Sequence, residues 1–205
     1  MPENRPLIIC DVDEVVLHFV SPFGAFLQQQ GYRLIKRSYA LLGNIVDRET
    51  DLPVPGDQIG ALVHAFFDAE THAQPKISGA AEALAALSES ADILFLTNFP
   101  DDFRTRREQN LLDHGMPYPL HTNSGPKGQA AFKLARHHTE EIVFLDDIGS
   151  NLTSVRMHIP DATLIQFIGD HEFFDLAPSI DEVDFKTKHW AEAKAYIDER
   201  LDQRV

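Results

Sequence analysis

The stretch IICDVDEVVL, residues 8–17, is apolar up to Cys10 and then places Asp11, Asp13 and Glu14 within four positions. An apolar run of this length, bounded by polar residues, reads as a buried strand. Carboxylates at its carboxyl end invite a question about what the strand aims them at. The answer depends on which other residues sit at the ends of the other strands.

Further strands are expected near residues 92–97, 118–121, 141–146 and 162–168, each a short apolar run between polar or turn residues. With residues 6–11 they make about five. Helical periodicity separates the later ones, at about 79–89, 100–114, 127–138 and 150–158, and the tail spaces Trp190, Ala193, Ile197 and Leu201 along one face of a last helix. Strands that alternate with helices of this length predict an α/β fold: a Rossmann-like parallel sheet with helices on both faces. Ligands of such sheets bind beyond the carboxyl ends of the strands.

Residues 21–75 break the alternation and are too long for a plain connection. Ser21 reads as a helix N-cap, with Pro22 in the first turn and Gly31 as the stop. NIVDRETDLPVPGD reads as a loop, and Ile59, Leu62, Val63, Phe66 and Phe67 form a helical stripe. The expectation is a core of residues 1–20 and 76–205, with residues 21–75 as a small, mainly helical cap inserted after the first strand.

In a parallel sheet the strand ends bring together Asp11 and Asp13, Thr97 and Asn98, and Asp146 and Asp147, with Asn151 a turn later and Lys127 at the start of a helix. Residues two apart on an extended chain share a side, which would pair Asp11 with Asp13. So many carboxylates cannot all stay ionised without a cation. An all-oxygen set suits Mg²⁺, and a lysine and a hydroxyl beside it suit a phosphate.

Composition narrows the partners. The 205 residues are 43% hydrophobic and 24% charged, with a formal net charge of −14. That balance supports a packed core and disfavours nucleic acid and anionic membranes as partners. No apolar run reaches the roughly 18 residues of a membrane span, MPENRPLIIC has no signal-peptide core, and Cys10 is the single cysteine. These features predict a cytoplasmic protein without a disulfide.

The motifs, in order, resemble those of the haloacid dehalogenase superfamily: DVDEV, the Thr97 that closes an apolar strand, the Lys127 of a KG opening a helix, and FLDDIGSN. The likeness covers residues 6–20 and about 77–168. It implies a phosphomonoester hydrolase that acts on a small phosphorylated metabolite through an aspartyl-phosphate. Asp11 would be the nucleophile and Asp13 the general acid and then base, with Asp11 beside it favouring the protonated form. Thr97 and the Asn98 amide would hold phosphoryl oxygens, and Lys127 would neutralise nucleophile and phosphate. Mg²⁺ would be bound by Asp11, the Asp13 carbonyl and Asp146, with Asp147 and Asn151 behind. Glu14 and Val15 stand where many members carry Gly and Thr, and Ser150 and Asn151 stand where a second acid is common. An acid at Asp13 implies phosphoryl chemistry, because a departing chloride needs no proton. A phosphomutase, or a weakly active binding or regulatory protein of the same fold, is the alternative.

Other features have plainer readings. His64, Asp68 and His72 lie opposite the Ile59–Phe67 stripe, as the polar face of an amphipathic helix does, or as a face looking onto substrate. Phe103–Glu108 reads as a solvated helix face with an Arg104–Glu108 pair, or as a grip on an anionic substrate. Cys10 reads as a packing residue, and Phe19 and Phe23 as core packing or as the lining of a pocket entrance.

Overall fold

The computed structural model describes residues 5–138 and 140–202. Six parallel strands form the main sheet: β1 (Leu7–Cys10), β4 (Asp92–Thr97), β5 (Leu120–Thr122), β6 (Ile142–Asp146), β7 (Thr163–Phe167) and β8 (Phe185–Thr187). Their order is β5-β4-β1-β6-β7-β8, so the chain winds outward from β1 in both directions. The sheet thus has one strand more than expected. The extra one, β8, is a three-residue edge strand pairing Ile165 with Phe185, too short to leave a pattern in the sequence.

Alternation along the strands builds two cores. Ile8 and Cys10 of β1 face one side with Phe95, Val143 and Leu145, against α3 (Ala80–Leu87) and α8 (Trp190–Asp202). Leu7 and Ile9 face the other, with Phe144 and Leu164, against α5 (Gly128–Ala135) and α6 (Gly149–His158). Each large side chain fully removed from water there stabilises the fold by about 1.5–3 kcal/mol. α4 (Arg104–Asp113) follows a 3₁₀ turn at Asp101–Phe103, and the six-residue α7 (His171–Leu176) is capped by Asp170.

Between β1 and α3 the chain forms α1 (Val20–Gln29), an antiparallel pair β2 (Tyr32–Leu34) and β3 (Ile45–Asp47), and α2 (Gly56–Glu70). β3 lies within the segment read as loop. Phe23, Ile45 and Phe66 are fully buried in a separate cluster that also takes in Phe99 and Phe103 from beyond β4. α1 starts one residue before Ser21, after Phe19, with no side-chain cap at its first residue. Its leading N–H groups at Phe19 and Val20 instead donate to Glu14 Oε2, at 3.1 and 2.7 Å. An acid reaching from the preceding turn has replaced the local cap. Gly31 does end the helix, at φ +85°.

Among the described residues no helix is long and apolar enough to cross a membrane.

Candidate active site

β1 ends at Cys10, whose register partners are Phe95 on β4 and Leu145 on β6. One residue further, Asp11 and Asp146 leave the sheet side by side, and Thr97 closes β4. This is the point where the strand order reverses, and the crevice there belongs to the C-terminal edge of the sheet.

Lys127 joins the two acids. Its Nζ lies 2.8 Å from Asp11 Oδ1 and 2.7 Å from Asp146 Oδ2, with no exposure to solvent. It reaches this position because α5 begins hard against α6. A Cβ on Gly128 would come within 2.2 Å of the Ser154 carbonyl oxygen, so only glycine permits that approach. Burial works against the ammonium, but Asp11 and Asp146 more than offset it and hold Lys127 above the usual lysine range. The acids carry the surplus charge. Burial, opposed by Lys127 and reinforced by Asp146, pushes Asp11 up to about 7.

Asp13 is not placed by strand alternation. It lies in a turn where the N–H groups of Val15, Val16 and Leu17 all donate to the Val12 carbonyl. Glu14 there adopts φ 62°, in the left-handed region, which explains glycine as the common residue at this position of the resembling family. Glu14 is buried against α1, and burial first, eased by its two N–H donors, raises it to about 7.

The Asp13 carboxylate accepts 3.0 and 3.3 Å bonds from Arg107 Nη2 and a 2.9 Å bond from Gln74 Nε2. Arg107 is fully buried, stacked 4.5 Å from the Phe99 ring centroid, and also donates to Gln74 Oε1 at 2.7 Å. The segment Phe103–Glu108 is therefore only partly the solvated face expected. Arg104 pairs with Glu108, but Arg107 turns inward to the acid. The signal was present: Phe103, Arg107 and Leu111 recur at i, i+4, i+8, and all three are buried.

The two acids after β6 diverge. Asp146 is wholly engaged: beyond Lys127, it accepts from the Ile148 N–H at 2.8 Å and from Asn151 Nδ2 at 3.0 Å. Asp147 lines the crevice and accepts a 2.7 Å bond from the Tyr39 hydroxyl, which comes from the chain between β2 and β3. Burial, with Asp146 and Asp11 adding repulsion, raises Asp147 well above the carboxylate range. No motif in the sequence marks Tyr39.

The crevice is a cavity of about 250 Å³ touched by Asp11, Asp13, Thr97, Asn98, Lys127, Asp147 and Asn151. Asn98 also braces the loop before Lys127, donating to the Gly125 carbonyl at 3.0 Å. Phe19 lines this cavity, whereas Phe23 packs inside the insertion. His64 does not reach the cavity. It packs on Phe103, while Asp68 pairs with Arg106.

Asp11, Asp146 and Asp147 can each offer an oxygen within 4.8 Å of the others, the only such acidic, histidine or cysteine cluster among the described residues. Three carboxylates face one ammonium there, and burial, reinforced by their mutual repulsion, shifts Asp11 and Asp147 upward. The donor set is all oxygen and fits a hard divalent cation.

No protein-family model and no curated relative matches the sequence. Solved structures do. A conserved haloacid dehalogenase-like protein of unknown function from Agrobacterium tumefaciens aligns over 94% of this chain and 97% of its own, at 15% identity and TM-score 0.65. A HAD family hydrolase from Deinococcus radiodurans, with bound phosphate and sodium, aligns over 97% and 96% at 16% identity and TM-score 0.62. An L-2-haloacid dehalogenase aligns over 95% and 99% at 13% identity and TM-score 0.63. Sheet order, the insertion after β1 and these alignments agree: the chain has the haloacid dehalogenase-like fold.

Proposed function

We propose that this protein is a Mg²⁺-dependent phosphomonoester hydrolase of the cytoplasm, with Asp11 as nucleophile and a small phosphorylated molecule as substrate. One observation carries the reading. Asp11 lines a cavity that also exposes Asp13, two residues on, and its Oδ1 is held 2.8 Å from Lys127.

Asp11 attacks phosphorus, and the bond to the departing oxygen breaks as Asp13 donates a proton to it. Asp13 then takes a proton from the water that attacks the aspartyl-phosphate, freeing inorganic phosphate and Asp11. Both tighter bonds to Asp13 end on Oδ1, whereas Oδ2 has only the 3.3 Å contact, which favours Oδ2 as the oxygen that handles the proton. Arg107 and Gln74 fix the direction in which that oxygen points. In this reading Thr97 and the Asn98 amide hold phosphoryl oxygens, and Lys127 balances charge on Asp11 and the phosphate.

The cation's ligands in this reading are Asp11, the Asp13 carbonyl and an acid after β6. Asp146 was the expected acid. Its full set of hydrogen bonds and the cavity-facing position of Asp147 favour Asp147 for contact, with Asp146 holding Lys127 and Asn151 bracing Asp146. Bound there, Mg²⁺ supplies positive charge for the transferring phosphoryl group.

The fold also carries L-2-haloacid dehalogenases, as one of the similar structures illustrates. The anchored Asp13 argues for phosphoryl chemistry, since an alkoxide or phenoxide needs a proton on leaving and a halide does not. The test is phosphate release from a panel of phosphomonoesters with Mg²⁺, with EDTA, and with Asp11→Asn. Release lost in both controls supports the reading. Release by a weakly active binding protein would be absent throughout, and full activity of Asp11→Asn would refute the nucleophile.

A further inference from the structure

The part of the cavity's lining that is not carboxylate carries information about the substrate's other half. It is built largely by Phe19, Val20, Leu41, Val63, Phe67 and Phe173, apolar side chains drawn from the insertion, its junction with β1, and α7. The polar groups that touch the cavity are largely committed. Glu14 Oε2 caps α1, while its Oε1 has no partner but is shut away from solvent. Tyr39 is bound to Asp147, Asn151 is bound to Asp146, and Asp13 is held by Arg107 and Gln74. Asp11, Thr97, the Asn98 amide and Lys127 face the phosphoryl position. Among the described residues, Lys127 is the only cationic side chain on the lining.

This has a chemical consequence. The hydroxyls of a sugar or polyol phosphate would lose water and find no partner on this wall, at about 1–3 kcal/mol each. A second phosphate or carboxylate on the substrate would meet no second cation. An apolar ring meets neither cost and gains from leaving water. Size agrees: a cavity of about 150 Å³ accepts a benzene ring, and this one, at about 250 Å³, has room for a ring beside one phosphoryl group.

We propose that the substrate is the phosphate monoester of a small apolar alcohol or phenol, with a single anionic group. The proposal deepens the phosphohydrolase reading and rests on it for the identity of the headgroup. The reaction balances as above: the ester P–O bond breaks, the P–O bond to Asp11 forms, the freed alcohol or phenol takes its proton from Asp13, and water then releases phosphate.

Binding tests it independently of turnover. Benzylphosphonate and 3-hydroxypropylphosphonate, which present the same headgroup, are titrated calorimetrically into the full chain with Mg²⁺, with inorganic phosphate as reference. Benzylphosphonate is expected to bind about tenfold tighter or more, and Val63→Asn and Leu41→Asn, each made singly on the cavity wall, are expected to shrink that ratio several-fold. Equal or tighter binding of the hydroxylated compound, or no binding of either, overturns the inference. Turnover of benzyl phosphate and ribose 5-phosphate is measured in parallel. Hydrolysis that favours ribose 5-phosphate overturns the substrate class while leaving the phosphohydrolase intact. Tight benzylphosphonate binding without hydrolysis of any monoester supports the apolar pocket and overturns the phosphohydrolase reading.

Discussion

The floor and the far wall of the crevice are made by different physics. The floor is a set of buried strand ends where Asp11, Asp146 and Lys127 lock one another at hydrogen-bond distance. The far wall is a largely aromatic cluster, standing on α1 and α2 and packed on Phe99 and Phe103, that polar ties also join to the core. Tyr39 binds Asp147, Lys36 pairs with Asp170 at 2.7 Å, and Gln74 binds Asp13. A rigid floor suits a reaction that needs fixed atoms, and a separately packed wall can change without disturbing it. Changes to the floor should therefore abolish turnover, and changes to the wall should redirect it.

The largest effect expected is that of Asp11→Asn, a loss of about 10⁴-fold or more in phosphate release. Thermal melting should show the fold intact, because Lys127 keeps Asp146. A variant that melts early would mean that the floor depends on this pair for stability as well as for chemistry.

Arg107→Met comes next. It keeps apolar bulk between Phe99 and Phe67 but releases Asp13 from its fixed direction. A misplaced acid costs about 100-fold in kcat, measured on a substrate with a poor leaving group. Release of p-nitrophenolate, which hardly needs protonation, should suffer far less. Equal losses on both substrates would remove Arg107 as a positioning residue for the acid.

Tyr39→Phe probes the tie between wall and floor. Losing the hydroxyl frees Asp147 and should raise the Mg²⁺ concentration for half-maximal activity by about tenfold. An unchanged Mg²⁺ dependence would separate the wall from the metal position altogether.

The smallest effect is a pH dependence of stability. Glu14 ionises at about 7 in the folded chain, against 4.5 ordinarily. A raised carboxyl stabilises the fold fully below its unfolded value, and that contribution disappears as pH rises through the folded one. Glu14→Gln still accepts from the Phe19 and Val20 N–H groups but carries no charge. Its melting temperature relative to wild type should climb between pH 5 and pH 8. A flat difference would mean that the buried acid is not charged at the higher pH.

The long, buried strands were legible because β1, β4, β6 and β7 have apolar patterns that no tertiary contact had to override, and their ends named Asp11, Thr97 and Asp146. What remained hidden was set by distance in sequence. Strands β2, β3 and β8 have three residues each, and their pairing partners, not their composition, make them strands. Helix α7 is short, although Asp170 followed by Glu172 marked its start. The neighbours Asp146 and Asp147 look alike in a string; only the fold turns one toward Lys127 and the other toward the cavity. Arg107 lay in a basic run that reads as solvated, and recognising it required weighing its i, i+4 relation to Phe103 and Leu111 above its charge. Tyr39 had no local signal, because the link to Asp147 spans the whole insertion and most of the core.

The central claim is that Asp11 becomes covalently phosphorylated. Turnover of benzyl phosphate is quenched in acid, the acyl phosphate is reduced with borohydride, and the peptides are mapped by mass spectrometry. Conversion of Asp11 to homoserine, dependent on substrate and Mg²⁺ and absent in Asp11→Asn, is the predicted result. Steady phosphate release with Asp11 unmodified, or homoserine at Asp13, Asp146 or Asp147 instead, would contradict it.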